Sequence, residues 1–258
     1  MSETAVYVCF YILIFLYGIC IGSFSNVCIL RLPAKESIVP GSHCMNCDYK
    51  LRWYDLIPLF SYLFLGGKCR KCGQKISKQY PLVEGANGLV YVVIFMVNGF
   101  NVMSALYCLC ATALIALSVV DFRTYEIPDS FNVFILVLGI VATIVDRDHW
   151  KSHIIGMLCI SLFLLIIYLV TAGRGIGGGD LKLMFAAGLL VGTKEIIFAF
   201  VLGCILGSII HVIRMKVSNA EHRLAMGPYL SAGILISMLI GERVVDWYLT
   251  VSGLSRFI

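Results

Sequence analysis

Charged residues and prolines are scarce in this sequence. Only 14% of its 258 residues are Asp, Glu, Lys or Arg, and 60% are hydrophobic, whereas about a quarter of the residues in a soluble domain are charged. The mean hydropathy is +0.92. Four of the six prolines lie between residues 31 and 81, and the five histidines show no metal-ligand spacing. These shortages argue against a soluble enzyme and against a histidine metal site, and they favour a chain embedded in a bilayer.

Apolar runs long enough to cross a bilayer recur along the whole chain. We place them near residues 5–30, 82–99, 103–120, 130–146, 153–172, 181–193, 195–213 and 225–241. The sequence therefore predicts an all-α polytopic membrane protein with about eight transmembrane helices. The first run is predicted to be a retained helix, because the residues before it include an acid and no base, unlike a secretory signal peptide.

The basic residues predict the orientation. With eight spans, fifteen of the twenty Lys and Arg residues fall on one side of the membrane and five on the other. The positive-inside rule makes the richer side cytoplasmic and puts both termini outside. The net charge of +5 is then a consequence of topology, and we expect no nucleic-acid partner.

The first cytoplasmic loop, residues 31–81, has the composition of a small soluble module. It contains two CxxC pairs, Cys44 with Cys47 and Cys69 with Cys72, separated by 21 residues. Four thiolates can surround a tetrahedral zinc ion, and metal binding would supply folding free energy that so small a module lacks. Reduced thiols or disulfides are the alternative, although disulfides are disfavoured in a cytoplasmic loop. We predict structural zinc.

Two acids border apolar runs at the predicted cytoplasmic edge of the membrane. Asp121 follows the run that ends at Val120, and Asp180 follows a glycine-rich stretch that includes Gly177 and Gly179. Ionisable residues at such depths are costly and are candidates for function. Two carboxylates close together would share a proton, so that one acts as acid and the other activates water. The glycines would let a peptide backbone approach Asp180.

Each acid also has a structural interpretation. Asp180 could be only the N-cap of the sixth span, and Asp121 only a solvated acid at the interface. We expect Asp129, which follows Pro128, to be the N-cap of the fourth span. Glu126 and Lys182 could tune the pair, but ordinary solvation accounts for them equally.

Several motifs in order along the chain resemble the bifunctional type IV prepilin peptidases, which are GxGD aspartyl proteases. The opening Gly22-Ser23-Phe24-Ser25-Asn26-Val27, the paired CxxC motifs and the stretch Tyr80-Pro81-Leu82-Val83-Glu84 are similar to that family. Asp121 with Ile127-Pro128-Asp129 resembles its first catalytic motif. Gly177-Gly178-Gly179-Asp180 resembles the GxGD motif, and Gly227-Pro228 near the last span also matches.

The resemblance implies an aspartic endopeptidase of the bacterial inner membrane. Such an enzyme cleaves the leader of prepilins or pseudopilins after a glycine at the cytoplasmic face, with Asp121 and Asp180 as the catalytic pair. It then N-methylates the new N-terminus with S-adenosylmethionine, and Glu84 and Gly88 match the segment linked to methylation. The implied domains are a first helix at 1–30, the zinc loop at 31–81 and the peptidase at 82–258. The sequence indicates no oligomeric state.

Two other classes of protein remain open at this point. A presenilin-like intramembrane protease would share the GxGD aspartate, but the four-cysteine loop is not expected there. A transporter could use paired interface acids as an ion site, although it would have polar residues along several spans, which are almost purely apolar here.

Overall fold

The computed structural model describes residues 3–39, 41–218 and 224–253, and helices dominate them. Among these residues there is no β-strand, only two isolated antiparallel bridges in the cysteine-bearing loop. Short 3₁₀ helices cover Trp53–Leu56 and Arg147–His149. The α-helices are α1 (Glu3–Arg31), α2 (Phe60–Phe64), α3 (Gln79–Asn98), α4 (Val102–Thr124), α5 (Asp129–Val145), α6 (Trp150–Val170), α7 (Gly178–Val191), α8 (Thr193–Ser218) and α9 (Gly227–Val251). The predicted all-α fold is confirmed.

Each predicted span coincides with one helix, α1 or one of α3 to α9. Five segments are long and apolar enough to cross a membrane, namely Thr4–Arg31, Gln79–Asn98, Val102–Thr124, Arg147–Val170 and Thr193–Lys216. The apolar α5 has only 17 residues and α7 only 14, which makes α7 about 21 Å long, shorter than the hydrocarbon layer of about 30 Å. The chain is a multi-pass membrane protein, and the count of eight spans stays a prediction.

The chain folds as two compact units, Met1–Gly99 and Phe100–Ile258. In the first unit, α1 packs along α3. The helices approach closely at glycines: a Cβ on Gly88 would lie 2.7 Å from Ile19 Cγ2, and one on Gly18 would lie 2.8 Å from the Gly88 Cα. Small residues let helix backbones meet in this way inside membranes. The functional boundary after residue 81 stays a prediction.

In the second unit, α7 lies at the centre. It packs against α5, α6, α8 and α9, and every residue from Ala186 to Val191 is buried. A Cβ on Gly188 would lie 2.6 Å from the Gly156 carbonyl carbon of α6. Glycines therefore let α6 and α7 approach closely, as they do for α1 and α3. The short central helix therefore carries its first residues, including Asp180, to a fixed place at one end of the unit.

Large apolar side chains cover the outer faces of the helices. On α6, for example, Ile166 is 62% exposed and Leu169 68% exposed. Contiguous exposed apolar surface of this extent is unfavourable in water but favourable against lipid chains, as a membrane-embedded bundle requires.

Candidate active site

Asp121 lies in the last turn of α4 and is only 5% exposed. The helix ends because Tyr125 adopts the left-handed conformation, with φ 56° and ψ 27°, and donates its backbone N–H to the Asp121 carbonyl. The side chain has a partner from another helix, since the backbone N–H of Gly227 donates to Asp121 Oδ2 at 2.9 Å. Gly227 is the first residue of α9, where a helix dipole favours a negative charge.

Asp180 lies in the first turn of α7, outside the five segments of membrane-spanning length. Gly177 is the N-cap and has an extended backbone, so the carboxyl occupies the third helical position. Burial, reinforced by the negative charge of Asp121, raises the pKa of Asp180 to about 7, while a hydrogen bond from the Gly177 backbone opposes this shift. A carboxyl with this pKa is protonated in a large fraction of molecules at neutral pH.

Both aspartates line one cavity of about 330 Å³. It lies at the end of the second unit where α4 ends and α5 and α7 begin. Its walls are formed by Asp121, Tyr125, Glu126, Ile127, Asp129, Gly177, Gly178, Gly179, Asp180 and Lys182. The two aspartates, 59 positions apart in sequence, thus face a common space.

Two of the three glycines before Asp180 leave little room for a side chain, whereas the third is open to the cavity. A Cβ on Gly177 would lie 3.1 Å from Asp180 Oδ2, and one on Gly179 would lie 3.0 Å from the Cβ of Ile127. A Cβ on Gly178 would meet no atom within 4 Å. This stretch therefore borders the cavity with bare backbone, and the predicted role of Gly177 and Gly179 in the active site stays a prediction.

The predicted role of Asp129 as an N-cap is wrong by one residue. Pro128 is the N-cap, with an extended backbone, and Asp129 is the first residue of α5. Its Oδ1 pairs instead with Lys182 Nζ at 2.8 Å, and both side chains are more than half exposed. Pro128 can take the cap position because its fixed φ suits the extended approach to a helix.

Gly227 is a site residue whose role sequence reasoning missed. A Cβ there would lie 2.6 Å from Asp121 Oδ2 and 3.2 Å from Ile127 Cδ1, so any side chain at this position would displace the carboxylate. The position belongs to the motif Gly227-Pro228. Nothing local, however, indicates that its N–H meets a residue 106 positions earlier.

The four predicted cysteine ligands meet in the first unit. The Sγ atoms of Cys44, Cys47, Cys69 and Cys72 all lie within 4.8 Å of one another. Cys44 Sγ is 3.8 Å from Cys72 Sγ, and Cys47 Sγ is 4.0 Å from Cys69 Sγ. A tetrahedron with Zn–S bonds of 2.3 Å has sulfur–sulfur edges of about 3.8 Å. The cluster therefore has the donor set and size that zinc requires.

The two CxxC pairs form matching turns. The Cys44 N–H donates to the Tyr49 carbonyl and the Asp48 N–H to the Cys44 carbonyl. The second turn repeats this pattern. The Cys69 N–H donates to the Gln74 carbonyl, and the Gly73 N–H donates to the Cys69 carbonyl. The residue after each pair has positive φ, 51° at Asp48 and 70° at Gly73, so both knuckles end in the same kind of turn.

Asp55 connects these two turns and was also missed from sequence. Its Oδ1 accepts from Arg70 Nε at 2.8 Å, and its Oδ2 accepts from the Arg52 N–H at 3.2 Å and the Tyr49 hydroxyl at 3.3 Å. The Asp55 side chain is 1% exposed. Desolvation acts to raise its pKa, but these hydrogen bonds and the charge of Arg70 hold the pKa below its usual value.

Glu84 and Gly88 have structural partners in the first unit. The Glu84 Oε2 accepts from the Leu59 N–H at 2.8 Å, and Gly88 is packed against α1 with no space for a ligand beside its Cα. These surroundings do not fit direct contact of Gly88 with a cofactor. Binding of S-adenosylmethionine by the pair stays a prediction that the contacts do not support.

Comparison with known proteins accounts for most of the chain. Residues 16–98 match the family model of the bacterial peptidase A24 N-terminal domain, and residues 108–212 match that of the type IV leader peptidase family. The first match covers the four-cysteine cluster, and the second covers both aspartates. No solved structure matches the chain.

Curated relatives match over nearly their full length. A prepilin leader peptidase/N-methyltransferase of Pseudomonas aeruginosa is 31% identical over 269 residues, covering 92% of this chain and 93% of the relative. One of Bacillus subtilis is 30% identical over 248 residues, which cover 93% of this chain and 98% of the relative. One of Aeromonas hydrophila is 30% identical over 275 residues, which cover 93% of this chain and 94% of the relative.

Proposed function

Because this chain belongs to the type IV leader peptidase family, we propose that it cleaves the leader peptide of prepilins or pseudopilins and N-methylates the new N-terminus. The observation that carries the proposal is the cavity shared by Asp121 and Asp180. The presenilin-like and transporter interpretations are less well supported, because the relatives match across both units, including the cysteine-bearing loop.

The aspartates have the environments that hydrolysis needs. We propose that Asp121 is the ionised member, since it accepts an N–H at the start of α9, and that Asp180, with its pKa of about 7, is the protonated member. Asp121 takes a proton from water as the water oxygen bonds to the scissile carbonyl carbon. Asp180 gives its proton to the carbonyl oxygen.

The tetrahedral intermediate then collapses. Asp180 takes back the hydroxyl proton as the carbonyl re-forms, the carbon–nitrogen bond breaks, and Asp121 delivers its proton to the leaving nitrogen. Both aspartates return to their starting states. The leader leaves with a new carboxyl group, and the pilin keeps a free amine, which is the group that the second activity methylates.

The bare backbone of residues 177–179 suits an extended peptide. A substrate strand that passes beside these glycines can bring its carbonyl close to both carboxyls, whereas side chains there would hold it away. We propose that the substrate's own apolar helix stays in the bilayer and presents its leader to this cavity at the cytoplasmic face of the inner membrane.

The cysteine cluster would hold zinc in a structural role. Four protein ligands leave no open position for water or substrate, so zinc would supply folding free energy to the loop module and no chemistry to hydrolysis. S-adenosylmethionine is the proposed source of the methyl group.

The test is incubation of the purified protein with a prepilin and methyl-labelled S-adenosylmethionine, with leader loss and methyl transfer followed separately. We expect leader loss without the methyl donor, and labelling of the cleaved product only when the donor is present. Labelling of an uncleaved prepilin would contradict the proposed order, and absence of leader loss with several pilin-like substrates would contradict the peptidase assignment.

A further inference from the structure

The loop module of the first unit carries an exposed apolar patch, formed by the 3₁₀ helix and α2. Trp53 is 78% exposed, Leu63 73% and Phe64 88%. Leu56, Ile57 and Phe60 next to them are each at least 40% exposed. Six large apolar side chains within twelve residues exceed the scattered apolar residues normal at a protein surface. We call residues 53–64 the apolar segment.

A hydrogen bond from Leu59 fixes the depth of this segment beside α3. The Leu59 N–H donates to Glu84 Oε2 at 2.8 Å, and Leu59 Cδ2 would lie 3.9 Å from a Cβ on Gly85. Glu84 is five residues into α3, which places Leu59 roughly 7 Å along that helix from its start. The 20 residues of α3 extend about 30 Å, the thickness of the hydrocarbon layer.

The apolar segment therefore meets α3 beyond its first turn, within the stretch Gln79–Asn98 that is long and apolar enough to cross a membrane. The backbone turns sharply at Leu59, which has φ 60° and ψ −51°, and the Phe60 N–H donates to the Pro58 carbonyl at 2.7 Å. These values define a γ-turn of the rare, strained kind. A strained turn held by a buried carboxylate indicates that the surroundings determine its conformation.

The charge of the module complements a lipid surface. Residues 31–81 contain nine basic and three acidic side chains, a net charge of +6. Arg52 directly precedes the apolar segment, and both Arg52 and Arg70 lie near the Tyr54 ring, with Cζ 6.0 Å and 5.0 Å from its centroid. Basic residues beside apolar and aromatic ones are typical of segments that lie in the headgroup region of anionic membranes.

We propose that residues 53–64 form an interfacial membrane anchor, which inserts Trp53, Leu63 and Phe64 among lipid chains while the surrounding basic residues pair with anionic headgroups. The apolar segment meets α3 at Glu84 and Gly85, so one bilayer would cover both. The anchor would hold the cysteine cluster against the membrane surface and fix the loop module relative to α1 and α3. This inference concerns lipid contact and does not depend on the cleavage chemistry.

The test uses the full-length protein, with Trp150→Phe and Trp247→Phe so that Trp53 is the only tryptophan. It is reconstituted in phosphatidylcholine vesicles with and without phosphatidylglycerol. We expect brominated lipid chains to quench Trp53 emission and aqueous iodide to have little effect. Quenching by iodide alone would overturn the proposal. Protection from both quenchers would also overturn it, since Trp53 would then be covered by protein, such as a second copy.

Two substitutions separate insertion from general disruption. Phe64→Asp is expected to reduce quenching by brominated lipid and increase quenching by iodide, while Met45→Asp, at an 84% exposed apolar residue within the first cysteine pair, should leave both unchanged. Equal effects of the two substitutions would contradict the anchor.

Phosphatidylglycerol is expected to increase quenching by brominated lipid, and added salt is expected to reverse this increase. Identical quenching in both vesicle types would rule out pairing with anionic headgroups.

Discussion

Removing the Asp55 carboxylate should weaken zinc binding without touching a zinc ligand. Asp55 accepts hydrogen bonds from Arg70, within the second cysteine pair, and from Tyr49 and Arg52, which follow the first. It is therefore the buried connection between the two halves of the cluster. Without it, each CxxC turn could form, but their relative position would be held only by the metal.

The contacts indicate the size of the effect. Loss of a partner that orients metal ligands typically costs 10- to 100-fold in metal affinity. We expect the lower part of that range, because the Arg70 side chain is 47% exposed and can turn to water once its partner is gone. Asp55→Asn keeps an acceptor for one or two of the three donors and should weaken zinc binding about 10-fold. Asp55→Ala keeps none and should weaken it roughly 30-fold.

Competition of the purified protein with a fluorescent zinc chelator measures this affinity. Asp48→Asn is the matched control, since Asp48 is an exposed acid of the same module and asparagine tolerates its positive φ. The control should bind zinc as the unmodified chain does. Unchanged affinity in both Asp55 variants would refute the connecting role, and equal loss in the control would show that the module responds to any lost charge.

Three further predictions concern the second unit. The pH profile of kcat/KM for leader cleavage should be bell-shaped and fall above about pH 7, because Asp180 must hold a proton and its pKa is about 7; a flat profile through neutral pH contradicts this. Gly227→Ala would put a Cβ 2.6 Å from Asp121 Oδ2 and should lower kcat about 100-fold, whereas a normal kcat would contradict the contact. Gly188→Ala should lower the free energy of unfolding by about 1–3 kcal/mol, as measured by denaturation in detergent. Gly85→Ala is the control and should leave it unchanged, because a Cβ on Gly85 would lie 3.9 Å from the nearest atom, Leu59 Cδ2.

Hydropathy predicted where the helices lie but not where they end. The predicted third span stops at residue 120, yet α4 continues to Thr124, because a left-handed Tyr125 ends it and not a change in polarity. The last span was predicted to stop at residue 241, whereas α9 continues to Val251 through several charged residues. Apolar runs report depth in the membrane, and helix ends depend on backbone geometry that hydropathy does not contain.

The residues of the candidate site also differ in whether the sequence could predict their roles. The four cysteines were predictable because a tetrahedral thiolate site requires two local pairs at a limited separation. The aspartates were predictable only as a pair of unusual acids with family motifs around them. The Gly227 N–H and the Asp55 carboxylate could not be inferred, since each contact joins distant elements, and each residue has an ordinary local role as a helix start or a turn acid.

The most direct test of the central claim is the rate of leader cleavage by Asp121→Asn, Asp180→Asn and Glu126→Gln, each reconstituted in lipid with one prepilin. Glu126 is an exposed acid on the same cavity, so its variant controls for a lost charge there. If Asp121 and Asp180 share the chemistry, either asparagine variant should abolish cleavage while inserting and folding normally, and Glu126→Gln should retain it. Cleavage at a normal rate by either asparagine variant would contradict the aspartate pair.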